Sequence, residues 1–243
     1  MEHDYLIAGL RVRMDTFGRT AVQAEPYLTE TAGEADIVIT SNPHQRKERQ
    51  PHLSLDDCEY LSTGGSFYRQ LLGFHGMLIH ASAVGMDGYA YLFSAPCGTG
   101  KSTHTDLWRA AFGHDRVLML NDDKPALRFE DGRWYAYGTP WSGKTDQNLN
   151  IRVPLGGVCV LTRGETNEIL PFGGVPAIFA LLEQTARPQV ANAREHLLEL
   201  LDCLLREIPV WKLKCTPTQE AAMVAHDAMS AEAEKRFGKG EKQ

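Results

Sequence analysis

Apolar and polar positions fall into short blocks over the first two thirds of the chain and longer, helix-length blocks over the last third. Residues 5–12 read as a strand, residues 35–40 as a second ended by Ser41-Asn42-Pro43, and residues 66–72 as a short helix. Residues 77–84 and 89–94 are two strands around Gly85-Met86-Asp87-Gly88, a hairpin signal. A small-residue loop and a helix over 104–112 follow, then a buried strand over 117–120. A second hairpin spans 127–129 and 134–137 around Asp131-Gly132, and strands at 158–161 and 168–170 flank the turn at 163–167. Helices are expected over 175–184, 193–206 and 218–229, with a short strand at 210–214 before the last; Thr216-Pro217-Thr218 followed by Glu220 marks that helix's start.

This pattern divides the chain into a small N-terminal α/β region (1–72), a main domain (73–230) and a charged tail (231–243) read as disordered. Gln-Arg-Lys-Glu-Arg-Gln around Arg46–Arg49 reads as a solvated loop. Residues 1–72 carry no catalytic constellation and fit a lid, a shape-giving subdomain or a partner surface.

Composition narrows the class. With 243 residues, 43% hydrophobic and 23% charged, the chain is an ordinary globular one. A net charge of -6 gives no overall attraction to nucleic acid or to an anionic membrane. No apolar stretch approaches the ~20 residues that span a bilayer, and the N-terminus has no secretory pattern, so a cytoplasmic location is expected. Five scattered cysteines (58, 97, 159, 203 and 215) without metal-type spacing read as reduced thiols.

The candidate chemistry begins where the strand at 89–94 runs into Ala95-Pro96-Cys97-Gly98-Thr99-Gly100-Lys101-Ser102-Thr103 and then a helix. This is the layout of a phosphate-binding loop: glycines let backbone N–H groups close on phosphates, Lys101 reaches the β/γ oxygens, and the Ser102 hydroxyl ligates magnesium. The helix dipole adds its positive end at the same place. The usual first glycine of the pattern is Ala95 here. Downstream, the strand at 117–120 ends in Asn121-Asp122-Asp123, where one carboxylate can hold Mg²⁺ and a neighbour can position or deprotonate a hydroxyl. The loop 138–144 presents Trp141 and Lys144 among turn-formers, either as a binding loop or with Trp141 as a core plug. Arg152 and Lys144 are secondary candidates for acceptor binding or transition-state charge.

These residues resemble the HPr kinase/phosphorylase and phosphoenolpyruvate carboxykinase superfamily, and the small HPr-serine-kinase-like proteins in particular. Gly98-Thr99-Gly100-Lys101-Ser102-Thr103 is similar to its phosphate loop, Asp122-Asp123 to its paired acidic motif, and His80, 21 residues before Lys101, to a histidine that HPr kinases carry there. The likeness spans roughly residues 75–165. It implies an α/β (α+β) fold: a P-loop nucleotide-binding core with a mixed, largely antiparallel sheet flanked by helices. It also implies an ATP- and Mg²⁺-dependent kinase acting on an alcohol group, with a peptide or protein serine as acceptor, and a homo-oligomer. Gly98, Thr99, Gly100, Lys101, Ser102 and Thr103 would bind nucleotide, Ser102 and Asp122 the metal, and Asp122, Asp123, Lys101 and His80 would form the catalytic set. Cys97 stands where HPr kinases show Ser, and the glycine-rich C-terminal signature that they use on HPr is absent. A nucleotide-binding regulatory module and a slow ATPase are the alternative readings.

Overall fold

The computed structural model describes residues 2–31 and 33–238. It opens with a hairpin, β1 (His3–Ile7) and β2 (Leu10–Met14), which turns on Ala8 and Gly9. The single strand expected over 5–12 is therefore two, because both turn residues adopt positive φ and reverse the chain. Helix α1 (Gly18–Ala24) leads to β3 (Ile37–Ile39), which joins β2 in parallel. Helices α2 (Pro43–Arg49) and α3 (Leu55–Leu71) follow.

Both helices carry start signals. The Asn42 side chain accepts from Gln45 N–H ahead of Pro43, and the Ser54 side chain accepts from Asp57 N–H with Asp56 and Asp57 in the first turn. Helix α2 thus stands where a solvated loop was expected. Helix α3 is 17 residues long where only 66–72 was expected to be helical. Its interior Gly64-Gly65 lowers intrinsic propensity, and packing overrides it: a Cβ on Gly64 would lie 2.9 Å from the Trp141 ring.

The main body contains β4 (Gly76–Leu78), β5 (Ala81–Met86), β6 (Tyr89–Ser94), α4 (Lys101–Phe112), β7 (Leu118–Asn121), β8 (Ala126–Glu130), β9 (Arg133–Tyr137) and β10 (Arg152–Arg163). After these come β11 (Glu168–Pro171), α5 (Gly174–Leu182), α6 (Ala191–Glu207), β12 (Val210–Cys215) and α7 (Gln219–Phe237). Among the described residues these strands form one mixed nine-stranded sheet, ordered β4-β8-β9-β10-β6-β5-β7, with β12 parallel to β10 and β11 antiparallel to β12. Strand β10 holds the sheet together, pairing with β9 near its start and with β6 and β12 farther along.

The strand expected over 77–84 is broken at Ile79-His80. Its first part pairs with β8 and its second with β6 and β7, so His80 sits at the break rather than on a hairpin strand. There its N–H is bonded to Gln184 O at 2.7 Å. The hairpin itself turns on Asp87-Gly88.

Strands β5 and β6 are buried along their whole length. Leu92 and Ala83 share one apolar cluster with Leu197, Leu200 and Leu204 of α6, while Tyr91 and Phe93 pack against Trp108 of α4 in a second cluster that includes Met229 of α7. A further cluster joins the N-terminal region to the body: Tyr5, Ile37, Tyr60 and Phe67 pack with Leu78, Tyr137 and Trp141. Helix α7 continues to Phe237, with Ala233 fully buried and Tyr89 donating to Gly238 O at 2.7 Å. The disordered tail expected from residue 231 is thus helix up to that point; residues 239–243 lie outside the described residues.

Candidate active site at the 95–101 loop

Strand β6 delivers the chain into the loop, and Gly98 (φ +78°) and Gly100 (φ +120°) supply the positive φ that turns it into α4. The first amides of α4 have no partner within the helix and point out of its N-terminus. Lys101 is 8% exposed, and its Nζ donates to Ala95 O at 3.0 Å, closing the loop on itself. Burial lowers the Lys101 pKa, opposed by the negative charges of Asp123 and Asp122 nearby. Lysine and aspartates therefore sense one another, although some 20 residues separate them.

Asp122 and Asp123 follow β7, which lies against β5. Asp122 is buried, and its Oδ1 accepts from Ser82 Oγ at 2.6 Å; Ser82 in turn sits 2.8 Å from Thr105 Oγ1 of α4. Asp123 Oδ1 lies 2.7 Å from His80 Nε2, and its Oδ2 is ion-paired with Lys124. Burial raises the Asp123 pKa, but the His80 hydrogen bond and the Lys124 charge outweigh it and leave the carboxyl below its usual value.

The turn is held by Asn121. Its Oδ1 accepts from the N–H groups of Asp123 (2.9 Å) and Lys124 (2.6 Å), and its Nδ2 donates to Thr139 O at 2.9 Å. The N-terminal region supplies a wall. Tyr60 of α3 accepts at its hydroxyl from Gly143 N–H (2.8 Å), Arg19 lies over the Tyr60 ring at 3.9 Å, and Lys124 Nζ lies over the same ring at 5.3 Å.

Beside the loop opens a cleft of about 420 Å³, lined by loop backbone, Leu107, Leu161, Arg163, Cys215 and Pro217. Its size and mixed lining suit a small organic ligand. Arg163 donates from Nε to Thr99 O at 3.3 Å and from Nη2 to Gly98 O, tying the end of β10 to the loop.

The structure gathers Lys101, Ser102, Asp122, Asp123 and His80 at one end of β5, β6 and β7. It leaves Arg152 out: that residue begins β10, eleven positions and roughly 35 Å of extended chain from Arg163, and its guanidinium stacks on Tyr135. Trp141 is fully buried and stacks on Phe67 at 4.9 Å, so it is the core plug rather than a binding surface. Lys144 is exposed beyond Gly143 and acts electrostatically on Asp57 of α3. Sequence reasoning missed Arg163, Lys124 and Ser82. A cation ending an apolar strand, a lysine directly after paired aspartates, and a lone hydroxyl in a wholly apolar strand were the available signals.

The family profile described as SynChlorMet cassette protein ScmC matches residues 60–220, about two thirds of the chain. The chain belongs to the ScmC family. The match spans the loop, the aspartate pair and Tyr60, and stops short of the first three strands. No curated protein matches the chain. Among solved structures, the HPr(Ser) kinase/phosphatase from Coxiella burnetii is similar at 12% identity, with a TM-score of 0.41, over 66% of this ScmC-family chain and 93% of that chain. Among the described residues, no helix is long and apolar enough to cross a membrane.

Proposed function

We propose that the chain is a Mg²⁺- and ATP-dependent phosphotransferase that moves a phosphoryl group onto a hydroxyl, a serine of a peptide or protein. The observation that carries this reading is the convergence of Lys101 with Asp122, Asp123 and His80 at the N-terminus of α4. Phosphoryl transfer asks little covalent chemistry of a protein. It needs cations on the phosphates, a carboxylate at the attacking hydroxyl, and alignment.

Lys101 and the α4 amides would take the phosphates, and the adjoining cleft at Leu107, Leu161 and Pro217 would take the nucleoside. The Ser102 hydroxyl and Asp122 carboxylate are hard oxygen donors of the kind magnesium prefers, and they would hold it. Bound magnesium would neutralise charge on the phosphate oxygens. Asp123 is the better placed residue to meet an acceptor. Its side chain is 20% exposed, whereas Asp122 is tied down by Ser82. His80 and Lys124 keep Asp123 ionised and oriented, so it can accept the proton of a serine hydroxyl.

The test is to incubate the protein with Mg²⁺ and γ-labelled ATP, with and without a peptide pool, and follow the label. Label on a peptide, lost in Lys101→Ala and Asp123→Asn, is the expected result. Label released only as free phosphate would make the chain an ATPase, and ATP binding with no transfer would make it a regulatory module. Failure of Lys101→Ala to weaken ATP binding or turnover would remove the reading.

A further inference from the structure

Helices α2 and α3 lie side by side, yet they do not face each other with apolar residues. Along α3, Ser62, Ser66 and Arg69 follow i, i+4, i+7 spacing and form one stripe. Along the start and face of α2, Asn42, Arg46 and Arg49 do the same at i, i+4, i+7. The two polar stripes border a groove of about 580 Å³ that also reaches the chain just after β3. All ten lining residues are polar or cationic, and none is acidic.

Arg46 is fixed from both sides, by Nε to Ser62 Oγ at 2.8 Å and Nη1 to Gln50 Oε1 at 3.3 Å. Arg49 and Arg69 are exposed, and neither guanidinium has an ion pair or hydrogen bond among the described residues. On a chain of net charge -6, three guanidiniums around one carboxylate-free groove are a marked segregation of charge.

We infer that this groove binds an acidic segment of a polypeptide. Arginine forks pair with carboxylates bidentately, and the hydroxyl and amide side chains between them can hydrogen-bond a peptide backbone. A groove of this volume exceeds what a single phosphate or carboxylate fills. Nucleic acid is the poorer fit, because no aromatic side chain lines the groove to stack a base and the rest of the molecule is net acidic. The Tyr60 hydroxyl, on the same helix α3, bonds Gly143 beside Asp123. Arg69 lies nine residues, roughly 13 Å, along α3 from Tyr60 and on the opposite side of the helix, so a peptide held there would have to pass round α3 to reach the candidate active site. As a docking site for a phosphoryl acceptor the groove rests on the phosphotransferase reading; as a binding site it stands without it.

The experiment is fluorescence anisotropy with a labelled octaglutamate peptide, against octaglutamine and octalysine peptides and a single-stranded oligonucleotide of equal length. The wild-type chain is compared with Arg49→Glu/Arg69→Glu and with the milder Arg49→Gln/Arg69→Gln, each checked for folding by circular dichroism. A fluorescent ATP analogue is titrated in parallel. The expected result is salt-dependent binding of octaglutamate alone, weakened at least about tenfold by the charge reversal and less by the glutamine pair, with nucleotide titration unchanged. Equal binding of octaglutamine, tighter binding of the oligonucleotide, or affinity unaffected by both double variants would overturn the inference. Octaglutamate binding without nucleotide binding would sink the phosphotransferase reading and leave the groove standing.

Discussion

His80 Nε2 lies 2.7 Å from Asp123 Oδ1, joining a break between two strands to the turn that follows a third. Together with the Lys124 charge, the contact holds the Asp123 carboxyl below its ordinary pKa despite burial that pushes it upward. His80→Ala removes a donor and leaves the burial, so the Asp123 pKa rises. If Asp123 takes the acceptor proton, the acidic limb of the pH–rate profile moves to higher pH in His80→Ala. Turnover at a fixed low pH then falls roughly tenfold for each whole pH step that the limb moves. A lower rate with an unmoved limb would show that His80 acts on something other than Asp123.

Gly143 sits at φ +75°, and a Cβ there would lie 3.0 Å from Asp123 Cβ. Gly132 has nearly the same φ, +77°, with nothing within 4 Å. Alanine at either position carries the left-handed backbone cost of about 1–2 kcal/mol. Only Gly143→Ala also pushes on Asp123. Both variants should lose similar stability in urea denaturation, while Gly143→Ala alone loses turnover. Equal turnover in the two would detach the 138–144 loop from the site.

The main body was largely legible because its strands and last three helices follow hydrophobic periodicity with glycine and proline at their ends. The Asp131-Gly132 hairpin is the clearest case, both residues adopting the positive φ their types allow. The N-terminal helices were not legible by that route. Helix α2 buries none of its seven residues, so it has no apolar stripe, and only its Asn42 and Pro43 start signal betrays it. Helix α3 hides its apolar face behind Gly64-Gly65 and polar Ser62 and Ser66. At the candidate site, Lys101 and the aspartate pair were visible as local motifs. The contacts that orient them, Ser82 to Asp122 and Arg163 to the loop, join positions 40 and 64 or more residues apart and leave no local pattern.

Trp141 offers a test of packing against binding. Its ring stacks on Phe67, its Nε1 donates to Thr63 Oγ1 at 3.2 Å, and the missing side chain of Gly64 lets α3 lie so close. Trp141→Ala should cost about 3–5 kcal/mol of stability. Trp141→Phe should retain most of it, with an unchanged KM for ATP and acceptor. A selective rise in KM for Trp141→Phe in a protein of near-normal stability would return Trp141 to the binding surface.

Glu59 ties the stability of the N-terminal region to pH. It is fully buried between α1 and α3, its Oε2 accepts from Thr20, and its Oε1 has no hydrogen-bond partner among the described residues. Burial, opposed by the Thr20 hydrogen bond, pushes its pKa to about 7, against roughly 4.3 in an unfolded chain. Between those values the folded protein holds a proton that the unfolded chain has released, so stability falls as pH rises. The contribution is complete below about pH 4 and gone above the folded value, a change on the order of 3 kcal/mol. Glu59→Gln keeps the shape and the Thr20 contact but cannot ionise. Urea midpoints measured at pH 5 and pH 8 should therefore converge in Glu59→Gln, relative to the wild-type chain. Parallel pH dependence in the two proteins would mean that Glu59 is not the titrating group.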